Sequence, residues 1–294
     1  MWETTAGTGE MKILLTGANG QLGRCFQDRL PEGWQIEALG SAELDISNAS
    51  QVEAVIAAWK PDAIVNAGAY TGVDKAESEP EVAARVNTQG PKNLALAARA
   101  IGAKLIHVST DYVFDGQGTQ PYLETDPTAP LGVYGKTKLD GEHAVQSVLP
   151  DAAIIRTAWV FSEYGNNFVK TMVKLSEKRD ALGIVSDQRG CPTYAGDLAT
   201  AIIKLLEQDA AGGIYHYGGS REVSWFEFAD RIFDVAVSQG RIEKKPALSA
   251  VTTEQYPTPA KRPAYSVLDG KKIKALGISL SDWDKALTEI INKF

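Results

Sequence analysis

KILLTGANGQLG, residues 12–23, joins a short apolar run to a turn that carries three glycines. The apolar run predicts a buried parallel strand, and residues 21–30 predict the helix that follows it. The spacing GxxGxxG allows a tight turn, an approach of backbone amides to a pyrophosphate, and close packing of the helix on the strand. Strand, turn and helix in this order predict a dinucleotide site at the helix N-terminus; the alternative is a turn without a ligand. The residues expected at the cofactor are Gly17, Asn19, Gly20, Gln21 and Leu22.

Strands and helices alternate along the rest of the chain up to about Gly218. This alternation predicts an α/β fold, a Rossmann-type doubly wound parallel sheet with helices on both faces and right-handed crossovers. The further strands are predicted at residues 35–39, 63–66, 104–109, 152–157 and 214–217.

A smaller C-terminal substrate-binding lobe is expected beyond this pattern. Two helix-like pieces, 225–237 and 281–292, flank a proline-bearing stretch there. The expected division assigns 11–163 and 184–218 to the dinucleotide-binding domain, and 164–183 and 219–294 to the smaller lobe. Residues 1–10 lack the apolar stretch of a signal peptide and are interpreted as a tag or a disordered lead.

The composition is that of an ordinary globular protein. The 294 residues are 44% hydrophobic and 23% charged, with a formal net charge of -7. The negative charge disfavours a nucleic-acid partner bound by a broad basic surface. No apolar run approaches the ~18 residues of a membrane helix. The two cysteines, Cys25 and Cys191, form no CxxC pair and are interpreted as reduced thiols, so we expect a cytoplasmic protein without a membrane partner.

The end of the second strand bears on the choice between NAD and NADP. An acidic residue there would bind the ribose diol, and an arginine would hold a 2′-phosphate. The strand ends Ala38-Leu39-Gly40-Ser41, which offers neither and favours NADP(H), with NAD(H) as the alternative. Asp45 and Ile46 follow and are predicted at the adenine edge; the alternative for Asp45 is a helix cap.

Tyr134 and Lys138 form a Tyr-x-x-x-Lys pair on a predicted helix, and this spacing puts both side chains on one face. A free tyrosine, with a pKa near ~10, is a weak acid at neutral pH, and a neighbouring ammonium lowers that pKa. Lys136 points about 160° away around the helix and is the poorer partner. The alternative for the pair is an exposed helical surface.

Ser109, Thr110 and Asp111 follow the predicted fourth strand. Ligands in open parallel sheets bind outside the carboxyl ends of the strands. A hydroxyl at this edge can hydrogen-bond a substrate carbonyl, and either Ser109 or Thr110 could do so.

Four segments resemble motifs of the dTDP-4-dehydrorhamnose reductase family, which has an extended short-chain dehydrogenase/reductase fold. The resemblance runs from Met11 to about Leu206 and more loosely to the C-terminus. The segments are Asn66–Glu77 (N-x-AAYT-x-VD-x-AE in the family), Ser109–Gly116 (STDYVFDG), Arg156–Phe161 (R-x-x-W-V) and Asp187–Thr193 (D-Q-x-G-x-PT).

The resemblance implies roles for individual residues. It implies a catalytic trio of Thr110, Tyr134 and Lys138, the last two also touching the cofactor. It places Ala67, Gly68, Ala69, Tyr70, Thr71 and Asn87 at the cofactor, and Asp111, Tyr112, Val113 and Trp159 at the sugar. Three alternatives stay open. Trp159 could be a core aromatic, Asp111 a turn residue, and Asn66 and Asn87 partners of backbone groups.

The implied reaction is NAD(P)H-dependent reduction of the 4-keto group of dTDP-4-dehydro-L-rhamnose to dTDP-L-rhamnose. One alternative is another sugar-nucleotide epimerase or reductase of the same fold. A second is a non-catalytic regulatory subunit like that of methionine adenosyltransferase, which shares the fold and several motifs.

Cys25 is a departure from the family. Some members carry an acidic residue at this position, as part of a magnesium site that bridges a dimer. A thiol is a poor ligand for a hard cation that prefers oxygen. We therefore expect no metal, and a monomer or weak homodimer.

Overall fold

The computed structural model describes residues 9–294, so most of the expected lead at residues 1–10 lies outside the described residues. The strands are β1 (Lys12–Thr16), β2 (Gln35–Leu39), β3 (Ala63–Asn66), β4 (Lys104–Thr110), β5 (Ala153–Thr157), β6 (Val160–Phe161), β7 (Ala181–Val185), β8 (Arg189–Gly190), β9 (Thr193–Tyr194), β10 (Gly213–His216), β11 (Val223–Ser224) and β12 (Ala247–Val251). The helices are α1 (Gln21–Gln27), α2 (Ala49–Trp59), α3 (Val73–Ala76), α4 (Pro80–Ala84), α5 (Gly90–Ile101), α6 (Val133–Val148), α7 (Phe168–Ser176), α8 (Ala195–Glu207), α9 (Trp225–Ser238), α10 (Lys271–Lys274) and α11 (Trp283–Ile290).

A six-stranded sheet forms the centre of the molecule, in the order β10-β5-β4-β3-β1-β2. Every neighbouring pair in it is parallel, which confirms the predicted Rossmann-type α/β fold. The chain passes from β1 to β2 on one side and then to β3 on the other. This reversal opens a crevice outside the carboxyl ends of β1 and β3, where α/β sheets bind their ligands.

Both faces of the sheet are covered by helices because its strands are apolar on both sides. Phe26 of α1 and Leu198 of α8 pack in the cluster on one face. Ile56 of α2 and Leu94 of α5 pack in the cluster on the other face. All four residues of β3 are buried, as expected for a central parallel strand.

The smaller lobe has its own aromatic core, in which Phe161, Phe228 and Trp283 are each 1% exposed. Helices α7, α9 and α11 surround this core. A capping box between Ser224 and Glu227 begins α9 and satisfies free amide groups of its first turn.

One predicted boundary is wrong. The border between residues 183 and 184 falls inside β7, whose whole length pairs in parallel with β12. Strand β8 likewise pairs with β11 of the C-terminal tail. Residues 184–190 therefore belong to the smaller lobe, because the strands that they pair with come from the tail.

Two further expectations concern thiols and membrane helices. Cys25 and Cys191 are both free and buried, as predicted. Within residues 9–294, no helix has the length and apolar character needed to cross a membrane.

Gly17 and Gly102 allow a test of the β1–α1 turn, because both have a left-handed backbone, with φ of 68° and 70°. A Cβ on Gly17 would lie 2.5 Å from the backbone of Ala67, whereas one on Gly102 would meet nothing within 4 Å. We expect Gly17→Ala to lower the free energy of unfolding by about 2–4 kcal/mol. Gly102→Ala should lower it by about 1–2 kcal/mol. Equilibrium urea unfolding measures both, and equal losses would contradict the close approach at Gly17.

Candidate active site

The β1–α1 turn is a cradle of bare backbone. A Cβ on Gly17 would clash with the backbone of Ala67, so the turn at Gly17 packs directly against the chain that leaves β3. A Cβ on Gly23 would lie 2.2 Å from the oxygen of Gly17. Gly20 caps α1 without a side-chain hydrogen bond, so amide groups of the first turn stay available. These features fit the pyrophosphate of a dinucleotide.

The other predicted residues of this turn differ in what their side chains do. Asn19 is exposed. The side-chain oxygen of Gln21 accepts hydrogen bonds from Ser162 (2.9 Å) and Asn167 (3.0 Å), which ties α1 to the segment that enters the smaller lobe. Leu22 is 8% exposed and packs in the core. A contact of Leu22 with the cofactor would therefore involve its backbone.

The end of β2 carries an acidic group that sequence reasoning missed. The amide of Gly40 donates to the carboxylate of Glu43 at 2.7 Å. Glu43 comes four residues after the strand ends, so only the fold of the loop brings it back to the strand. In dinucleotide-binding folds an acidic residue near the end of this strand hydrogen-bonds the ribose, so the Glu43 carboxylate is a candidate for that contact.

Asp45 and Ile46 are predicted at the adenine edge, and this stays a prediction. The Asp45 carboxylate accepts hydrogen bonds from the amide (3.0 Å) and hydroxyl (2.6 Å) of Ser47 and so holds a turn. The helix cap considered for Asp45 is provided by Asn48 instead. Ile46 is 7% exposed and packs in the core beneath α2 and α5.

Ala67, Gly68, Ala69 and Tyr70 leave β3 half-buried along the crevice, and Thr71 is exposed. Asn87 fixes this segment: its side-chain oxygen accepts from the Tyr70 amide at 2.8 Å and its amide group donates to the Tyr70 carbonyl at 3.1 Å. Asn87 lies in a π-helical turn between α4 and α5. Asn87 is thus a partner of backbone groups, which was one of the two interpretations.

Thr110, rather than Ser109, faces the tyrosine of α6. The Ser109 hydroxyl donates to Glu142 at 2.6 Å and is directed away. Thr110 ends β4 and is 5% exposed; its hydroxyl donates to Asp111 at 3.0 Å and lies close enough to Tyr134 to act on the pKa of the phenol. Of the two candidate hydroxyls, Thr110 is therefore the one positioned to polarise a carbonyl next to Tyr134.

Tyr134 is a protonated phenol at neutral pH. Burial raises the pKa of Tyr134 to about 12; the nearby Thr110 hydroxyl acts in the opposite direction, and the carboxylate of Asp111 adds to the rise. Lys138, which the sequence predicts to lower this pKa, does not contribute to the shift. A protonated phenol is the form that a general acid needs.

Lys138 is 2% exposed, and its ammonium group donates to the carbonyl of Val108 at 2.7 Å. Burial lowers the pKa of Lys138 to about 8, and the carboxylate of Glu142 opposes this lowering. Lys136, two residues earlier, is exposed and pairs with Asp140 at 3.1 Å. This agrees with the prediction that Tyr134 and Lys138 lie on one face of the helix and that Lys136 lies on another.

Two of the four residues predicted at the sugar, Asp111 and Tyr112, lie beside this trio. Asp111 is 2% exposed, and burial raises its pKa to about 7. The ring of Tyr112 meets that of Tyr134 edge-on, with centroids 5.3 Å apart. Trp159 has a φ of 51° and stacks on Trp225, with centroids 3.5 Å apart and planes 8° apart.

Val113 is predicted at the sugar, and this stays a prediction. Its side chain is fully buried in a core cluster with Phe114 and Leu139, so a contact of Val113 with the substrate would involve its backbone.

Cys25 lies at the position where an acidic metal ligand occurs in some relatives. Its thiol donates to Glu163 at 3.5 Å, and burial raises its pKa to about 12, so it is not a thiolate. Across residues 9–294, no group of three or more histidine, cysteine, aspartate or glutamate side chains is arranged to hold a metal ion.

The family described as RmlD substrate binding domain matches residues 11–294. The chain is 49% identical over 287 residues to the dTDP-4-dehydrorhamnose reductase of Aggregatibacter actinomycetemcomitans, covering 95% of this chain and 98% of that protein. The chain belongs to the dTDP-4-dehydrorhamnose reductase family.

Two further relatives bear on this family assignment. The structure of dTDP-4-dehydrorhamnose reductase from Bacillus anthracis in complex with NADP is 37% identical and superposes with a TM-score of 0.90, over 97% of this chain and all of that one. A Streptomyces antibioticus protein, described as a probable dTDP-4,6-dihydroxy-2-methyloxan-3-one 4-ketoreductase, is 41% identical over 95% of this chain and 94% of its own length. Membership of the dTDP-4-dehydrorhamnose reductase family confirms the resemblance that the four motifs predict.

Asp111 should make the stability of this reductase-family chain depend on pH. Its pKa rises from 3.8 to about 7 on folding. Between these values the folded protein holds a proton that the unfolded chain has lost, so this group destabilises the fold as the pH rises. We expect Asp111→Asn to stabilise the protein more at pH 8 than at pH 5, by up to about 2–3 kcal/mol. Urea unfolding at the two pH values measures this, with the exposed Asp151→Asn as control; an equal effect at both would contradict the raised pKa.

Proposed function

We propose that the chain catalyses the NAD(P)H-dependent reduction of the 4-keto group of dTDP-4-dehydro-L-rhamnose to dTDP-L-rhamnose. The observation that carries this proposal is the protonated phenol of Tyr134, beside Thr110 and one helical turn from the buried Lys138. These groups lie at the carboxyl edge of the sheet, as does the glycine cradle. Relatives that share nearly the whole chain, among them one 49% identical, are dTDP-4-dehydrorhamnose reductases.

Each member of the trio has a separate task. The bound NADPH or NADH supplies the hydride that reaches C4 of the sugar. Thr110 hydrogen-bonds the carbonyl oxygen and polarises the bond. As the C=O double bond becomes a single bond, Tyr134 gives its phenolic proton to the oxygen and later regains a proton from solvent. Lys138 holds the ribose of the cofactor and stabilises the transient phenolate.

Asp111, Tyr112 and Trp159 would bind the sugar. The position of Asp111 and Tyr112 beside Thr110 and Tyr134 supports this role, since a pyranose ring presents hydroxyls to carboxylates and apolar faces to aromatic rings. Residues Ala67 to Thr71 would line the cofactor beside them, with Asn87 holding the backbone of Tyr70.

We further propose that the enzyme is cytoplasmic, binds neither nucleic acid nor a membrane, and works as a monomer or weak homodimer without a metal. The buried thiol at Cys25 supports the absence of a metal-bridged dimer, because a protonated thiol is a poor magnesium ligand.

A second candidate is reduction of a different dTDP-keto sugar, favoured by the relative from Streptomyces antibioticus described as a 4-ketoreductase. An epimerase would keep its cofactor and cause no net oxidation of added NADPH. A regulatory subunit like that of methionine adenosyltransferase would bind its partner without turnover. An assay with the keto sugar and NADPH, followed by identification of the product, separates these four functions.

Tyr134→Phe removes the proton donor and keeps the ring. We expect kcat to fall by about 10²–10⁴-fold, because that is the usual contribution of a positioned acid. The Kd for NADPH, measured by fluorescence titration, should change little. Lys136→Ala, on another face of α6, serves as the control and should keep its activity. Turnover unchanged in Tyr134→Phe would refute the assigned chemistry.

Glu43 should weaken the preference for NADPH, because its carboxylate would lie near the 2′-phosphate. We expect Glu43→Gln to raise the ratio of kcat/KM for NADPH over NADH a few-fold, as about 1 kcal/mol of repulsion between exposed charges would give. Glu53→Gln removes an exposed carboxylate from α2 and is the control. If the ratio of kcat/KM for NADPH over NADH stays the same in Glu43→Gln, Glu43 has no part in the choice of cofactor.

A further inference from the structure

A buried row of polar side chains lies beneath the helix that carries Tyr134 and Lys138. The register of the sheet pairs Ser109 of β4 with Arg156 of β5, and Arg156 with His216 of β10. These three residues therefore lie side by side across three strands. No apolar core requires such a row, so it needs a separate explanation.

Glu142 of α6 rests on this row. Its carboxylate accepts hydrogen bonds from Ser109 at 2.6 Å and from the Arg156 guanidinium at 2.7 Å and 3.1 Å. The side chains of Arg156 and Glu142 are 3% and 1% exposed. The pair is thus a dry, bidentate salt bridge between helix and sheet.

His216 completes the row as a neutral side chain. Burial, with the nearby Arg156, lowers the pKa of His216 to about 3. Its Nδ1 lies 2.9 Å from the carbonyl of Tyr122 and so donates to it. Its Nε2 is then free to accept from Arg156 at 3.3 Å. The network therefore contains one negative charge, on Glu142, and one positive charge, on Arg156.

Stability alone does not account for this ion pair. Burying two charges is costly, and replacing a buried pair by apolar residues is often neutral or stabilising. Glu142 lies four residues after Lys138 and eight after Tyr134, which puts all three on one face of α6. The negative charge of Glu142 therefore lies on the same face of α6 as Tyr134 and Lys138.

Few other charges face Lys138. His107 of β4 is fully buried and neutral, since burial and the charge of Lys138 both lower its pKa. Asp111 lies beyond the end of β4, and Tyr134 lies one turn earlier on α6. The carboxylate of Glu142 favours the ammonium form of Lys138 and opposes the effect of burial. Arg156 partly offsets Glu142 from β5.

We propose that Glu142 is a positioning residue for the reaction: held by Arg156 and Ser109, its carboxylate keeps Lys138 an ammonium and fixes the rotation of α6 that brings Tyr134 to Thr110. This inference rests on the proposed function, because it assumes that Lys138 must be charged when the ketone is reduced.

The test is the pH profile of kcat for Glu142→Gln, which keeps the size of the side chain and one accepting oxygen for Arg156. Without the carboxylate, and with Arg156 left unpaired, Lys138 should lose its proton at lower pH. We expect the alkaline limb of kcat to move down by about one pH unit or more, with KM for the keto sugar little changed. Asp140→Asn makes the same change of charge on an exposed face of α6 and should leave the limb in place.

The single variant leaves Arg156 as an unpaired buried charge, which could unfold the protein. The double variant Glu142→Gln/Arg156→Met avoids this because it removes both buried charges together. Its alkaline limb should lie between those of the wild type and of Glu142→Gln. An NMR titration of Lys138, with 13C-labelled lysine in the full chain, gives a second readout that needs no turnover. The pH midpoint of the Lys138 titration should be highest in the wild type, intermediate in the double variant and lowest in Glu142→Gln.

The outcomes separate the two proposals. If Glu142→Gln lowers kcat equally at every pH and leaves the Lys138 titration unchanged, Glu142 only supports the fold and the inference is overturned. If the wild type does not oxidise NADPH with the keto sugar while the Lys138 titration still shifts in Glu142→Gln, the proposed function fails and the electrostatic role of Glu142 stands.

Discussion

The docking of α6 on the sheet is the constraint on which the site depends, since Tyr134 and Lys138 lie on this helix and Thr110 on a strand. Two glycines let the helix approach its neighbours. A Cβ on Gly135 would lie 2.2 Å from the oxygen of Tyr112, and one on Gly141 would lie 2.1 Å from the oxygen of Asn87. Together with the salt bridge of Glu142, these contacts leave the helix little freedom to slide or rotate.

Asn87 connects α6 to the segment after β3 that would line the cofactor. Its side chain holds both backbone groups of Tyr70 and also donates to Thr137 of α6 at 3.2 Å. The π-helical turn around Asn87 is an irregularity of a kind that often occurs at active sites. The segment that would line the cofactor and the helix that would deliver the proton share one buried amide.

The sequence predicted what depends on local pattern. The glycine spacing, the strand–helix alternation and the Tyr-x-x-x-Lys face all appear in the structure as expected. Glu43 and the Arg156–His216 pairing depend on loop folding and strand register, which no short motif encodes. Strand β7 of the smaller lobe pairs with β12, which lies far along the chain, and a local pattern does not show this pairing or the domain border that it implies. The i,i+4 spacing from Lys138 to Glu142 was visible, but a carboxylate on a helix is usually solvated.

Trp159 and Trp225 have a consequence for how the two lobes communicate. Trp159 follows β5 of the central sheet, whereas Trp225 begins α9 of the smaller lobe. Moving the lobes apart would therefore unstack the indole rings and release a tryptophan held in an unfavourable left-handed backbone. Separation of the two lobes is therefore opposed by the loss of the aromatic contact and favoured by the relaxation of the backbone at Trp159.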